Sequence, residues 1–266
     1  MNLQNQAAPM TVLSFDTSTA VLAAAITRGG AVLDSSLSFT ERNHAVRIVS
    51  ELKELLERNG LSRNEVDAIA AGQGPGSYTG VRIAVTAAKT LAWTWNKPLV
   101  GISSLEALAF GAWKEIGPNN GGGEAWIVPL MDGRRGQAYG ARFAALPDGS
   151  WRRTEEDGIR LFGPWLDKLK QAAEELPGGE RPSSIVFVGQ TEPFAELVAA
   201  AAGALADAGI SIEAVPFGMD AGAVGLLAER RIRGGEKDEP HAFVPNYTQL
   251  AEAEAKLLAA QKERKA

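Results

Sequence analysis

Two short stretches hold the residue types that could do chemistry. One is AGQGPGSYTGVRIA, residues 71–84, where Gly72, Gly74, Gly76 and Gly80 surround Pro75, Ser77 and Thr79. The other is SFDTSTA, residues 14–20, where Asp16 precedes Thr17, Ser18 and Thr19. Glycine lets backbone N–H groups approach a ligand closely, and free N–H groups at a helix start attract anions. An aspartate at a strand end beside small hydroxyls can hold a hydrated Mg²⁺ and a phosphate. The candidate anion or nucleotide residues are therefore Asp16, Ser18, Thr19, Gly74, Gly76 and Ser77.

Each stretch has a structural alternative. The glycine loop lacks the lysine of a Walker A loop and the third glycine of a dinucleotide fingerprint. Ser77 lies between Gly76 and Tyr78, so it is not in a G-x-S-x-G elbow. The loop can equally be a tight strand-to-helix turn with Ser77 or Thr79 as cap. SFDTSTA can equally be an Asx/ST turn that makes a hairpin.

The rest of the composition removes other chemistries. The 266 residues include no cysteine and only two histidines, His44 and His241. Disulfides, thiolate catalysis and a Cys- or His-rich metal centre are excluded. His44 follows Asn43 at a helix start, where a capping role outweighs a catalytic one. Net charge is −5, which disfavours autonomous binding of RNA or DNA. Arg134 and Arg135 could meet RNA phosphate, or be solvated charges. The opening MNLQNQAAPM has no basic or apolar signal region, and no apolar run is long enough for a bilayer, so a cytoplasmic location is expected.

The elements that must position these residues come in two series. TVLSFD, AVLAAAIT and AVLDSSLSF read as an antiparallel meander. A helix follows over residues 44–58, with Ala45, Ile48, Val49, Leu52, Leu55 and Leu56 as its core stripe and Gly60 as its stop. VDAIAAG is a strand, and residues 79–95 a helix with its stripe at Val81, Ala84, Val85, Ala88, Leu91, Ala92 and Trp95. PLVGIS is a strand and SLEALAFGAW a helix. After GPNNGGG the order βββαβαβα restarts at AWIVPLMD and ends in a helix over residues 221–233. Asp132 ends the first strand of the second series as Asp16 ends that of the first. This implies an internal duplication: a leader at 1–10, lobes at 11–115 and 124–240, a linker at 116–123, and a tail at 241–266 that is a helix or frayed. The cleft between two such lobes, at the carboxyl ends of the strands, is the expected ligand site.

LSFDTSTA, NHAVRIVSEL, residues 72–109, MDGRRGQAYGARF and PNYTQLAEAEAKL, in that order, resemble the TsaB (YeaZ) family of the bacterial tRNA N6-threonylcarbamoyladenosine pathway. Residues 72–109 are the most specific part, and residues 146–215 carry little signature. The resemblance implies an α/β, actin-like/Hsp70-like ATPase (ribonuclease H-like) fold of two βββαβαβα lobes. It also implies a subunit that pairs with its catalytic paralogue TsaD, supports docking of the ATPase TsaE, and meets tRNA through that complex. TsaD carries a His-x-x-x-His metal pair where Ser104 and Leu108 stand here. It has a Gly-Gly turn for adenosine where this chain has Gly189 and Gln190. The fold's first phosphate loop usually has glycine where Ser18 stands. These departures imply a non-catalytic chain with no metal or cofactor of its own, the ATP/ADP and Mg belonging to partner subunits. The implied partner interface lies on the two first-lobe helices, through His44, Val46, Ile48, Leu52, Val81, Ile83, Ala84, Ala87, Ala88 and Leu91. A homodimer through the same surface is expected when the chain is alone. The competing readings are a free-standing Mg-ATP-dependent ATPase or kinase, motivated by Asp16 and the glycine loop, and a metallopeptidase, weakened by Ser104 and Leu108.

Overall fold

The computed structural model describes residues 8–39, 44–117 and 123–248, and of His44 only its backbone. The first series is β1 (Thr11–Asp16), β2 (Leu22–Arg28), β3 (Ala31–Ser38), α1 (His44–Arg58), β4 (Ala68–Gly72), α2 (Tyr78–Trp95), β5 (Leu99–Ile102) and α3 (Ser104–Ile116). The second is β6 (Ala125–Arg134), β7 (Gln137–Ala145), β8 (Trp151–Leu161), α4 (Phe162–Glu175), β9 (Ser184–Gly189), α5 (Ala195–Ala206), β10 (Ser211–Pro216) and α6 (Ala221–Arg233). The sheets have matching strand orders, β3-β2-β1-β4-β5 and β8-β7-β6-β9-β10. In each, the meander is antiparallel and the two later strands are parallel to the first.

Helix positions follow from apolar spacing. On α1, Ile48, Leu52, Leu55 and Leu56 are buried, one every three or four residues, and cover β2. The helix ends where Gly60 turns left-handed at φ 64°, with Leu61 N–H on the Leu56 carbonyl at 2.9 Å and Gly60 N–H on the Glu57 carbonyl at 3.0 Å. On α2, Val81, Ala84, Val85, Ala88 and Ala92 are buried against the same face of the sheet. Helices α4 and α5 cover the outer face of the second sheet in the same way.

The last helix of each series behaves differently. Helix α3 packs on β6, β7 and β9 of the second sheet, whereas α6 packs on β1, β2 and β5 of the first. They also touch each other, so five layers result: α1 and α2, sheet, α3 and α6, sheet, α4 and α5. Each middle helix packs on one sheet and on the other middle helix, and both share one core cluster with residues of the two sheets, which is why α3 is buried from Ser104 through Trp113 and α6 from Ala221 through Glu229. Ser14 Oγ on β1 donates to the Ala221 carbonyl at 2.7 Å, across that layer.

Some expectations change. Val49 was expected in the core stripe of α1, but it is 61% exposed, because the turn toward β2 is already filled by Ile48 and Leu52. Ala45 is exposed as well, and Leu91 and Trp95 are only partly buried. Most of GPNNGGG, residues 118–122, lies outside the described residues, as do 249–266 of the expected tail. Residues 236–248 form a strap that pairs with β5 at Asp238, turns at 239–243 and reaches the loop after β4 at Asn246. Phe243 is buried there at 4% exposure, so this part of the tail joins the first core.

Candidate functional site

An open apolar groove of about 410 Å³ runs between α1 and α2, lined by Ile48, Val49, Ile83, Ala87, Thr90 and Leu91 among others. Its cause is side-chain size. Helix α2 needs small residues, Ala84 and Ala88, to sit close on β4, and its next face carries Ile83, Ala87 and Leu91, which are only half covered. Thr90 Oγ1 donates to the Thr86 carbonyl of its own helix at 2.9 Å, so its hydroxyl is satisfied within α2. Val46, exposed at 79%, and Val49 extend the apolar surface along α1. Arg82 stands over the Tyr78 ring at 5.3 Å, and Tyr247 of the strap stacks beside that ring at 5.5 Å.

Half of the residues expected at an interface sit beneath this groove. Ile48, Leu52, Val81, Ala84 and Ala88 are each at most 3% exposed. Four of them face the sheet and support the groove from below, while Ile48 also reaches its floor. Val46, Ile83, Ala87 and Leu91 remain at the surface. Nothing in the sequence marked Val49, Thr86 or Tyr247 for it. Val49 fits the core spacing equally well, and Tyr247 arrives from 169 positions away along the chain.

The second candidate is the cleft between the sheets, about 800 Å³, at the carboxyl ends of β1, β4 and β6. It gathers Ser18, Thr19, Gly76, Ser77, Thr79, Asp132, Arg134 and Gln190, with Met131 and Tyr139 on its far wall. Asp16 and Gly74 are not among its lining residues. Asp16 is fully buried: Oδ1 accepts the Ser18 N–H at 2.6 Å and Oδ2 accepts the Ser104 hydroxyl at 2.6 Å. Burial pushes its carboxyl above the usual range, and the bonds from Ser104 and Ser18 only partly oppose this. Asp132, its expected counterpart, is exposed, and its carboxylate caps the hairpin by accepting the Arg134 N–H at 2.8 Å. The two positions match in order along the chain but differ in environment.

The glycine loop is drawn tight against these residues. The N–H groups of Gly74, Ser77 and Gly80 are held by Ser104 Oγ, the Ser18 carbonyl and Ser77 Oγ at 3.1, 2.7 and 3.3 Å. Thr17 Oγ1 donates to the Gly80 carbonyl at 2.7 Å. A Cβ at Gly80 would lie 1.8 Å from the Thr17 carbonyl oxygen, and one at Gly72 would lie 1.6 Å from Asp16 Oδ2. These two glycines allow α2 and β4 to touch the β1 turn, so their close approach is to protein. Ser104 is fully buried beside Asp16, and Leu108, 2% exposed, closes on Gly189. Gln190 Oε1 accepts the Asp132 N–H at 2.7 Å across the cleft floor. Among the described residues no three His, Cys, Asp or Glu side chains are grouped to hold a metal, and no helix is long and apolar enough to cross a membrane.

Two βββαβαβα halves with matched mixed sheets, facing each other across a cleft at their strand ends, define the actin-like/Hsp70-like ATPase fold class. A family model described as TsaD, tRNA N6-adenosine threonylcarbamoyltransferase, matches residues 38–257. The tRNA threonylcarbamoyladenosine biosynthesis protein TsaB of Bacillus subtilis is 32% identical, over 95% of this chain and 100% of that protein. TsaB of Escherichia coli is 31% identical over 59% of this chain and 70% of its own. The chain belongs to the TsaB family. The solved structure of YeaZ from Pseudomonas aeruginosa has the same fold, with a TM-score of 0.67 at 24% identity, covering 90% of this chain and 99% of that one.

Proposed function

We propose that this chain is a non-catalytic scaffold subunit in tRNA N6-threonylcarbamoyladenosine synthesis. It pairs with a TsaD-type transferase through the α1–α2 groove, and the pair supports docking of TsaE and meets the tRNA. The observation that carries this reading is the groove itself. Its apolar lining includes Ile83, Ala87, Leu91 and Val49, on a chain of family-typical length. An apolar surface of this kind marks a protein interface. The same surface would serve a homodimer when the partner is absent.

The reading of the chain as non-catalytic is supported by Ser104 and Leu108. Both are buried in packing or hydrogen bonding, and neither side chain replaces an imidazole as metal ligand. We assign no nucleotide or metal to the chain itself and place it in the cytoplasm with the tRNA that the complex modifies. The test is to mix the purified chain with TsaD at micromolar concentration. A heterodimer on gel filtration is expected, with no ATP hydrolysis by the chain alone. Absence of a complex sinks the scaffold reading. The second reading, an ATPase or kinase, draws on the size and hydroxyl lining of the cleft. It requires Mg-ATP binding by calorimetry that Asp16→Ala abolishes.

A further inference from the structure

A ring of polar contacts joins the strap to both sheets, and neither cleft nor groove includes it. Asp238 N–H donates to the Leu99 carbonyl at 2.8 Å, and Asp238 Oδ2 accepts the Gly101 N–H at 2.7 Å. The Gly101 carbonyl accepts Arg231 Nη1 of α6 at 3.1 Å. Arg231 Nη2 reaches Glu106 Oε2 in the first turn of α3 at 3.1 Å, and Arg153 Nη2 of β8 reaches the same oxygen at 3.2 Å. Arg153 Nη1 pairs with Asp157 Oδ1 at 2.5 Å. Asp157 Oδ2 accepts Asn246 Nδ2 at 2.9 Å, and Asn246 N–H returns to the Gln73 carbonyl, just after β4, at 2.7 Å. The ring thus links β5, an edge of the first sheet, to β8, an edge of the second.

Its joints differ in strength. Phe243 fixes the strap to the first lobe, seated where a Cβ on Gly101 would lie 2.4 Å from its ring. Glu106 is 8% exposed and holds two guanidinium groups, a site costly to break. From strap to second sheet, among the described residues, the hydrogen bond is Asn246 to Asp157, partly open to solvent. Next to it, Tyr247 is half exposed and stacks on Tyr78, which lines both the groove and the cleft.

We propose that residues 236–248 are a latch that sets the opening between the two sheets, with the Asn246–Asp157 hydrogen bond as its catch. Releasing the catch leaves the strap on the first lobe, lets the β8 edge move away, and removes the brace from β8 that steadies the loop after β4 through Asn246. A body seated in the groove touches Tyr78 and through it Tyr247, so it bears on the catch. That trigger rests on the groove being a docking face, whereas the latch does not.

The chain has no cysteine, so a spin-label pair can be introduced cleanly at exposed Glu54 on α1 and Glu174 on α4. In the full-length protein, Asn246→Ala should lengthen and broaden the distance distribution between the labels. It should also speed amide exchange at Gly74 and Ser77 by roughly tenfold, the scale of losing one charge-assisted hydrogen bond. Asn246→Asp is nearly isosteric and sets a second carboxylate against Asp157. It should open the protein further than Asn246→Ala does at pH 7, because two carboxylates then face each other. Val244→Ala, on the exposed side of the strap, should change neither reading. Distances and exchange equal to the parent in both Asn246 variants, with cooperative melting retained, would overturn the latch. Failure to bind TsaD would leave these readings unchanged and would bear only on the function proposed above.

Discussion

Gly80→Ala separates a loop built for protein packing from one built for a ligand. The added Cβ would lie 1.8 Å from the Thr17 carbonyl oxygen, and ordinary contact begins at 3.4 Å. The start of α2 must therefore withdraw by about 1.6 Å from a fully buried turn, against backbone that has no rotamer to change. Overpacking of this kind costs up to about 3 kcal/mol, and alanine returns about 1 kcal/mol in helix propensity. The net loss of about 2 kcal/mol corresponds to a fall in Tm of roughly 4–8 °C for a chain of this size. Gly203, exposed on α5 with nothing within 4 Å of its would-be Cβ, is the internal control. There the same substitution should raise Tm by roughly 2–4 °C, because only propensity changes. Calorimetric melts of both variants at one pH decide it. A Gly80→Ala protein as stable as the parent, or shifted in the same sense as Gly203→Ala, would refute the close-packing account.

Four further outcomes follow from the geometry. Ala87→Glu and Val49→Asp, at the groove surface, should weaken pairing with TsaD at least tenfold on a biosensor while shifting Tm by less than about 2 °C. Ala84→Arg, at a fully buried site, should instead prevent stable folding, visible as lost cooperativity in the melt. Because burial raises the Asp16 carboxyl, the folded chain keeps that proton to higher pH than the unfolded chain does. Stability should then decline as pH rises from the unfolded carboxyl's range through the raised folded value, and Asp16→Asn should remove this decline in a pH series of melts. Asp34 is the opposite case: Arg58, followed by Asn59, lowers its carboxyl to about 2. Its contribution, present above the unfolded value of 3.8, is lost as pH falls toward 2. At an exposed pair that loss amounts to under about 1 kcal/mol, and Asp34→Asn should abolish it.

The order of elements was legible because apolar spacing changes period cleanly at each boundary, as between VDAIAAG and the α2 stripe. The duplication was legible for the same reason. Which sheet each last helix covers was not: Leu105–Trp113 of α3 and Ala221–Ala228 of α6 are almost wholly apolar or small, and such a run reads only as buried. The groove was half legible. Ile83 and Ala87 stand off the main stripe of α2, but Leu91 belongs to it and one residue of rotation separates Val49 from the core, and only the packed sheet fixes that angle. Asp16 shows the limit for chemistry. Its type and place suggested a ligand site, yet Ser104, 88 positions away, takes its carboxylate. The polar ring left no local trace, since Glu106, Arg153, Arg231 and Asn246 are ordinary surface types in four separate segments.

The exchange of last helices also bears on how the chain is made. The inner face of the first sheet is covered by α6, and Ser14 waits for the Ala221 carbonyl 207 positions later. During synthesis β1 to β5 leave the ribosome long before Arg233 exists, and α3 emerges before the strands it must cover. Neither half can bury its sheet alone, so domain-by-domain folding is closed to this protein despite its repeated architecture. Its long-range contacts make for slow folding, with apolar strands exposed until the last turn of α6 has been added.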